Sequence, residues 1–232
     1  MIKNVFIPGF ATRPFLFEDI KACIGNLEIV ELNDFGYNET KNLLDNLKNS
    51  CDRINIIAWS LGALFALRWT LDNPKTVNSL YLLGATSCFI QKSDYHNGIT
   101  STVVERMVRL INAGKKRLVL NDFYNNTFYY VKNKDTIIKK LLEFDFAESV
   151  LINGLNELLG TDLRGELNKI DCRIRLAHGL QDAITPLYGA EFIKNNTKHS
   201  TLNVVECGHA YFLEDGDGFI RELKEFVNDQ LC

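Results

Sequence analysis

Six short runs of apolar, mostly β-branched residues recur along the chain: Ile2 to Ile7, Leu27 to Leu32, Ile54 to Ala58, Val77 to Leu83, Ile174 to Ala177 and Leu202 to Val205. Each closes on Gly, Asn, Asp or a polar turn, as strands do. Most are continuously apolar rather than alternating, which is the pattern of strands covered on both faces. Helical patterns lie between them, as in Thr40 to Asn49 and Leu61 to Leu71. Strand, helix and strand in repeated succession require crossover connections, so the chain is expected to form a mostly parallel, doubly wound α/β sheet of about six strands flanked by helices.

The rhythm breaks between residues 87 and 163, where no buried-strand run occurs and apolar residues fall at helical spacing (Val103, Val104, Met107, Val108, Leu110, Ile111; then Ile137, Ile138, Leu141, Leu142). This predicts a helical cap over 87–163 inserted into a core of 1–86 and 164–232. A length of 232 residues, 46% hydrophobic and 24% charged, suits one such α/β core with an insertion. The net charge of −3 supplies no polycationic surface for nucleic-acid phosphates. The six cysteines (Cys23, Cys51, Cys88, Cys172, Cys207, Cys232) form no C-x-x-C pair and cluster with no histidines, which reads as reduced thiols in a cytoplasmic protein rather than a zinc or redox site. No apolar run approaches the roughly 18 residues that cross a bilayer. The expected protein is monomeric, with no membrane or nucleic-acid partner.

Chemistry concentrates at Ile54-Asn55-Ile56-Ile57-Ala58-Trp59-Ser60-Leu61-Gly62-Ala63, where a serine sits on a tight turn between an apolar strand and an amphipathic helix. A nucleophile elbow needs small residues two before and two after the serine, because strand and helix approach closely at the bend. Here those residues are Ala58 and Gly62, with Ala58 departing from the glycine form. The helix start and its stop at Asp72-Asn73-Pro74 are both legible, since proline ends helices. Ser60 could also be a helix N-cap, which serine favours.

A base and an orienting acid follow in the order serine, aspartate, histidine. Asp182 lies in Gly179-Leu180-Gln181-Asp182-Ala183-Ile184-Thr185-Pro186 after the penultimate strand, and His209 in Glu206-Cys207-Gly208-His209-Ala210 after the last one. Both therefore fall at carboxyl ends of strands, where open α/β sheets place their sites. In this reading His209 accepts the Ser60 proton, Asp182 holds the imidazole tautomer, and Ser60 forms an acyl-enzyme. The oxyanion hole would be the backbone amides of Leu61 and Phe10. Asp162 and Asp171 compete for the acid role, and Asp182 could be a plain turn former. His178, at a strand end, reads as structural or hydrogen-bonding, whereas His96 lies in the cap and His199 in a polar turn. Cys88 and Cys207 read as buried small hydrophobes.

With these residues in place, the chain resembles the α/β-hydrolase superfamily and, within it, the pimeloyl-[acyl-carrier protein] methyl ester esterases of biotin synthesis. The cues are Trp59-Ser60-Leu61-Gly62, Ala85-Thr86-Ser87-Cys88-Phe89, and Leu151-Ile152-Asn153-Gly154-Leu155 leading to Asp162-Leu163-Arg164. The resemblance implies a serine carboxylesterase that hydrolyses the methyl ester of a pimeloyl chain on acyl carrier protein, with no metal or organic cofactor. Two departures stand out: Pro8-Gly9 replaces the usual His-Gly after the first strand, and the chain begins at that strand without a leading hairpin, which exposes one sheet edge. The scaffold alone also admits a general carboxylesterase, a thioesterase or a carbon–carbon bond hydrolase.

Residues 104–140 carry nine basic side chains (Arg106, Arg109, Lys115, Lys116, Arg117, Lys132, Lys134, Lys139, Lys140) against Glu105, Asp122 and Asp135, leaving the segment at +6 and the remainder at −9. A basic cap on an acidic body suits docking of an acidic carrier protein, although the same charges would serve as a solvated helix face. Phe123, Tyr124, Phe128, Tyr129 and Tyr130 are expected to line the cap.

Overall fold

The computed structural model describes residues 2–24 and 26–228, so Cys232 lies outside the described residues. Six strands form one parallel sheet in the order β2-β1-β3-β4-β5-β6. They are β1 (Ile2–Ile7), β2 (Leu27–Ile29), β3 (Arg53–Trp59), β4 (Val77–Leu83), β5 (Arg173–Gly179) and β6 (Ser200–Val205). The four inner strands owe their place to largely apolar runs: Ile54, Ile56, Ile57 and Ala58 of β3 are wholly buried, as are Leu80, Tyr81 and Leu82 of β4, and the polar Asn55 and Ser79 are buried as a hydrogen-bonded pair.

The outer strands behave differently. β2 stops at Ile29, short of the expected Leu32. Along β6, Thr201, Asn203 and Val204 are exposed, and hydrophobic periodicity is correspondingly weaker. The two open edges of the sheet are therefore β2 and β6.

Helices α1 (Glu18–Cys23), α2 (Tyr37–Lys48) and α3 (Leu61–Asp72) connect the first four strands, and α8 (Tyr188–Asn196), α9 (Tyr211–Glu214) and α10 (Gly216–Asn228) complete the second half. The sequence suggested an amphipathic α3, but Leu61 through Leu67, Trp69 and Thr70 are all buried. A helix apolar on nearly every side is one enclosed by the core. Between β4 and β5 lie α4 (Ser101–Asn112), α5 (Lys116–Thr127), α6 (Lys134–Leu141) and α7 (Glu148–Gly160). The two ends of this segment meet: the Leu163 amide donates to Ser87 O at 2.9 Å, and Cys88 bridges Asp162. Among the described residues no helix is long and apolar enough to cross a membrane.

The ends of β5 and β6 are fastened together through the backbone. A Cβ on Gly179 would lie 2.1 Å from Gly208 O and 2.5 Å from Cys207 O, so the peptide following β6 can run here only against a glycine. Replacing Gly179 by Ala is expected to destabilise the protein by roughly 1–3 kcal/mol, the usual range for overpacking, and to lower the urea midpoint accordingly. An unchanged midpoint would show that the two turns separate without loss.

Candidate active site

β3 delivers Ser60 to a bend from which α3 departs at once. Ser60 has φ 56° and ψ −122°, in a region that costs a non-glycine residue on the order of 1–3 kcal/mol. Its own peptide holds it there: the Ser60 amide donates to Leu83 O at 2.9 Å, and its carbonyl accepts from Ala63 at 2.9 Å and Leu64 at 3.3 Å. Gly62 is required because a Cβ there would sit 2.5 Å from both Ile7 O and Pro8 O, where the end of β1 passes the first turn of α3. The Ser60 side chain makes no capping bond to α3, so the N-cap reading does not describe it. Leu61 occupies the first helical position, where backbone amides have no partner within the helix, and Phe10 lies just beyond Gly9. A Cβ on Gly9 would stand 3.1 Å from Ser60 Cβ, so the turn carrying Phe10 abuts the serine.

Asp182 and His209 come from loops after β5 and β6 and meet at 2.7 Å, His209 Nδ1 donating to Asp182 Oδ2. Both side chains are essentially inaccessible to solvent. The carboxylate is fully engaged: Oδ1 accepts from the Ile184 and Thr185 amides, each at 2.9 Å, and Thr185 Oγ1 lies 2.9 Å from Oδ2. Burial alone would raise the Asp182 carboxyl, but His209 and the Thr185 amide hold it below its ordinary value, so it is charged. With Nδ1 committed, Nε2 is the free nitrogen of His209. It is buried and makes no hydrogen bond, to Ser60 or to anything else described.

Three further residues fix His209, and none announced itself in the sequence. Trp59 Nε1 donates to His209 O at 2.9 Å, tying the histidine backbone to the residue before the serine. Glu214 of α9 accepts from the Gly208 amide at 2.6 Å and the Ala210 amide at 3.2 Å, bracketing His209, and burial raises its carboxyl. Thr185 reaches both members of the pair, its Oγ1 lying 3.3 Å from His209 Nδ1. The competing residues are engaged elsewhere: Asp162 with Arg164 at 2.8 Å, and Asp171 with Lys198 at 2.5 Å. His96 and His199 are exposed. Burial raises the Cys88 thiol and pushes that of Cys207 up to about 12, so neither is a ready nucleophile.

Ser60, Leu61 and Phe10 open onto a cavity of about 720 Å³, mouth included, whose other walls are mainly Leu64, Phe89, Val104, Met107 and Leu155. Among the described residues its polar side chains are hydroxyls only, those of Ser60, Thr86 and Thr185, and no charged group lines it. Of the aromatics expected to line the cap, Phe123 alone reaches this wall. Tyr124 and Phe128 are buried, Tyr124 Oη donating to Ala11 O at 2.6 Å, and Tyr129 and Tyr130 are exposed instead. Among the described residues no group of three or more His, Cys, Asp or Glu side chains is placed to hold a metal ion.

The nine basic residues do not form one uniform patch. Lys116 binds Asp145 at 2.6 Å and Phe146 O at 2.8 Å, and Arg117 donates to Leu142 O at 3.0 Å, so both brace α5 against the segment after α6. Lys134 stands over Tyr129 and Lys140 over Phe15. Lys115, Lys132 and Lys139 are exposed. Arg106 and Arg109 of α4 line a second groove, which shares Val103, Met107, Phe123, Ala183 and Ile184 with the cavity at Ser60.

A family model described as the alpha/beta hydrolase fold matches residues 41–216. A pimeloyl-[acyl-carrier protein] methyl ester esterase of Neisseria meningitidis serogroup B is 30% identical over 182 residues, 76% of this chain and 70% of that protein. One from Wigglesworthia glossinidia brevipalpis is 25% identical across 97% of this chain and 93% of its own length. Among solved structures, an esterase from Exiguobacterium antarcticum superposes with a TM-score of 0.87 at 21% identity, covering 97% of this chain and 92% of that one. A bromoperoxidase from Bacillus anthracis superposes with a TM-score of 0.85 at 14% identity, covering 98% and 92%. The parallel sheet, the serine at a strained strand-to-helix bend and these likenesses agree: the chain belongs to the α/β-hydrolase family and is a hydrolase of the esterase kind.

Proposed function

We propose that Ser60, His209 and Asp182 are the nucleophile, the general base and the orienting acid of a serine carboxylesterase that hydrolyses the methyl ester of a pimeloyl chain carried on acyl carrier protein. The observation that carries the reading is the combination of a strained serine lining an apolar cavity with a buried Asp182–His209 pair whose outer nitrogen has no hydrogen-bond partner among the described residues. In the first half-reaction Ser60 Oγ attacks the ester carbonyl carbon as its proton passes to His209 Nε2. The oxyanion is received by the amides of Leu61 and Phe10. Methanol leaves with the proton from His209, and the acyl group remains on Ser60. A water, deprotonated by the same nitrogen, then releases the free acid and restores the serine.

The cavity supports an acyl chain that is uncharged at its reacting end. A methyl ester enters such walls readily, whereas the carboxylate produced finds no cation among the lining residues and is costly to keep desolvated. Product release is thereby favoured over product inhibition. Residues 87–163 act as the cap on a core of 1–86 and 164–232, and the meeting of the cap's ends at Ser87 and Leu163 supports that division. For the carrier, the groove beside the cavity supports Arg106 and Arg109 as the docking residues nearest the reacting centre, with exposed Lys115, Lys132 and Lys139 adding long-range attraction. Lys116 and Arg117 hold the cap together in this reading. The names of the relatives point to the same carrier-bound substrate.

The test compares methyl-pimeloyl acyl carrier protein with a small free methyl ester. Ser60→Ala should lower turnover of both by about 10⁴-fold or more, the scale of removing a serine nucleophile. Retained activity would eliminate the serine mechanism. A wild-type protein that cleaves only the small ester would leave the esterase and remove the carrier substrate. Arg106→Glu with Arg109→Glu should reduce kcat/KM for the carrier substrate by about tenfold or more, and less so as salt is raised, because the attraction is screened. An equal reduction on the small ester would place the effect in the cavity and not in docking.

A further inference from the structure

We infer that His178, a residue outside the proposed catalytic set, is a positioning residue that sets the Asp182 carboxylate for His209; the inference rests on the Ser60, His209 and Asp182 reading. His178 is the second-last residue of β5, fully buried, four residues before Asp182. Its Nε2 lies 2.7 Å from Thr185 O and 3.4 Å from Asp182 Oδ2. A carbonyl oxygen can only accept, so Nε2 must carry the proton. Its Nδ1 is buried without a partner among the described residues, so a second proton would place an N–H where none of them accepts it. The ring is thereby fixed as the neutral Nε2–H tautomer, in keeping with burial, which lowers its pKa.

That single proton has consequences on both sides. It ties the Thr185 peptide to the rigid end of β5, and Thr185 is the residue that holds the carboxylate, through its amide to Oδ1 and its hydroxyl beside Oδ2. The hydroxyl is itself 3.0 Å from Gly84 O, at the end of β4. The loop bearing Asp182 is therefore pinned to the end of β5 through Thr185, whose one hydroxyl proton serves Oδ2, and that residue is oriented by His178. Two imidazoles address the same Oδ2, His209 at 2.7 Å and His178 at 3.4 Å. Because His178 is neutral, the charge of Asp182 remains available to stabilise the imidazolium that forms on His209. A cationic His178 would compete for it.

The test is a double-mutant cycle on the full chain with a small free methyl ester, alongside urea unfolding of each variant. His178→Phe keeps an aromatic ring and removes the donor; His178→Gln returns an amide N–H to the reach of Nε2, and His178→Asn places it too short to meet Thr185 O. His178→Phe and His178→Asn should lower kcat about 10- to 100-fold, the usual penalty of sub-ångström misplacement, with KM within about twofold of wild type. His178→Gln should return to within about threefold of wild type by the same reasoning. In an Asp182→Asn background, itself slowed by about 10⁴-fold, His178→Asn should cost less than about twofold more, because the residue through which it acts is gone. Should His178→Asn slow both backgrounds by the same factor, or His178→Gln be as slow as His178→Asn, His178 is not acting through Asp182 and the inference is overturned. Should Asp182→Asn turn over as fast as wild type, the triad reading falls and takes His178 with it.

Discussion

The first turn of α3 passes beneath the end of β1 with no room for a side chain, Gly62 lying against the carbonyls of Ile7 and Pro8. Everything at the site is arranged around that contact. It forces the chain to turn within one residue after β3, and the residue at the turn, Ser60, takes a positive φ. It also brings the Pro8-Gly9-Phe10 turn against the serine, where a Cβ on Gly9 would stand 3.1 Å from Ser60 Cβ. Strain of this kind persists only where the surroundings over-determine it. Here the surroundings are a helix buried on nearly every side and a strand in the middle of the sheet, both too well packed to relax.

The second constraint is electrostatic. A buried carboxylate is expensive unless every lone pair has a donor, and Asp182 meets that requirement with two amides, a hydroxyl and an imidazole. The donors all come from the Ile184–Thr185 turn and from His209, so the cost of burying the charge is offset by the same contacts that aim it. Glu214 does the corresponding work for the His209 backbone, accepting amides on either side of it. A charge satisfied in this way is fixed in direction as well as in energy, which is what an orienting acid needs.

The sequence was a good guide wherever the signal was local. Inner strands appeared as largely apolar runs, and the bend at Ser60 as small residues two positions on either side. The positions of Asp182 and His209 after the last two strands led to a pair that stands 2.7 Å apart. It was a poor guide wherever the signal was a meeting of distant residues. Trp59 and Glu214 look like core and helix residues until the turn carrying His209 is placed between them. Thr185 looks like an ordinary turn residue until its hydroxyl is found between Asp182 and Gly84. Charge counting could not sort the basic residues for the same reason. Nine basic residues in one segment look alike in sequence, yet Lys116 and Arg117 are occupied with the backbone after α6, while Arg106 and Arg109 edge the groove beside the cavity. Tyr129 and Tyr130 were misplaced because aromatic residues between helices carry no periodicity to say which side they face.

The family scaffold does not choose the substrate. An esterase and a bromoperoxidase superpose on this chain almost equally well, so what distinguishes them must lie in the cavity and its approaches. In this chain Ser60 faces walls whose described residues offer hydroxyls and hydrocarbon but no charge, while Arg106 and Arg109 of α4 line the adjoining groove that shares Met107 and Phe123 with it. In the proposed reading, that separation suits a molecule that is neutral and apolar for some distance from its ester and anionic only farther out. The proposed substrate, a medium-length ester borne on an acidic carrier, would keep its reacting end desolvated while its charge remains outside with α4.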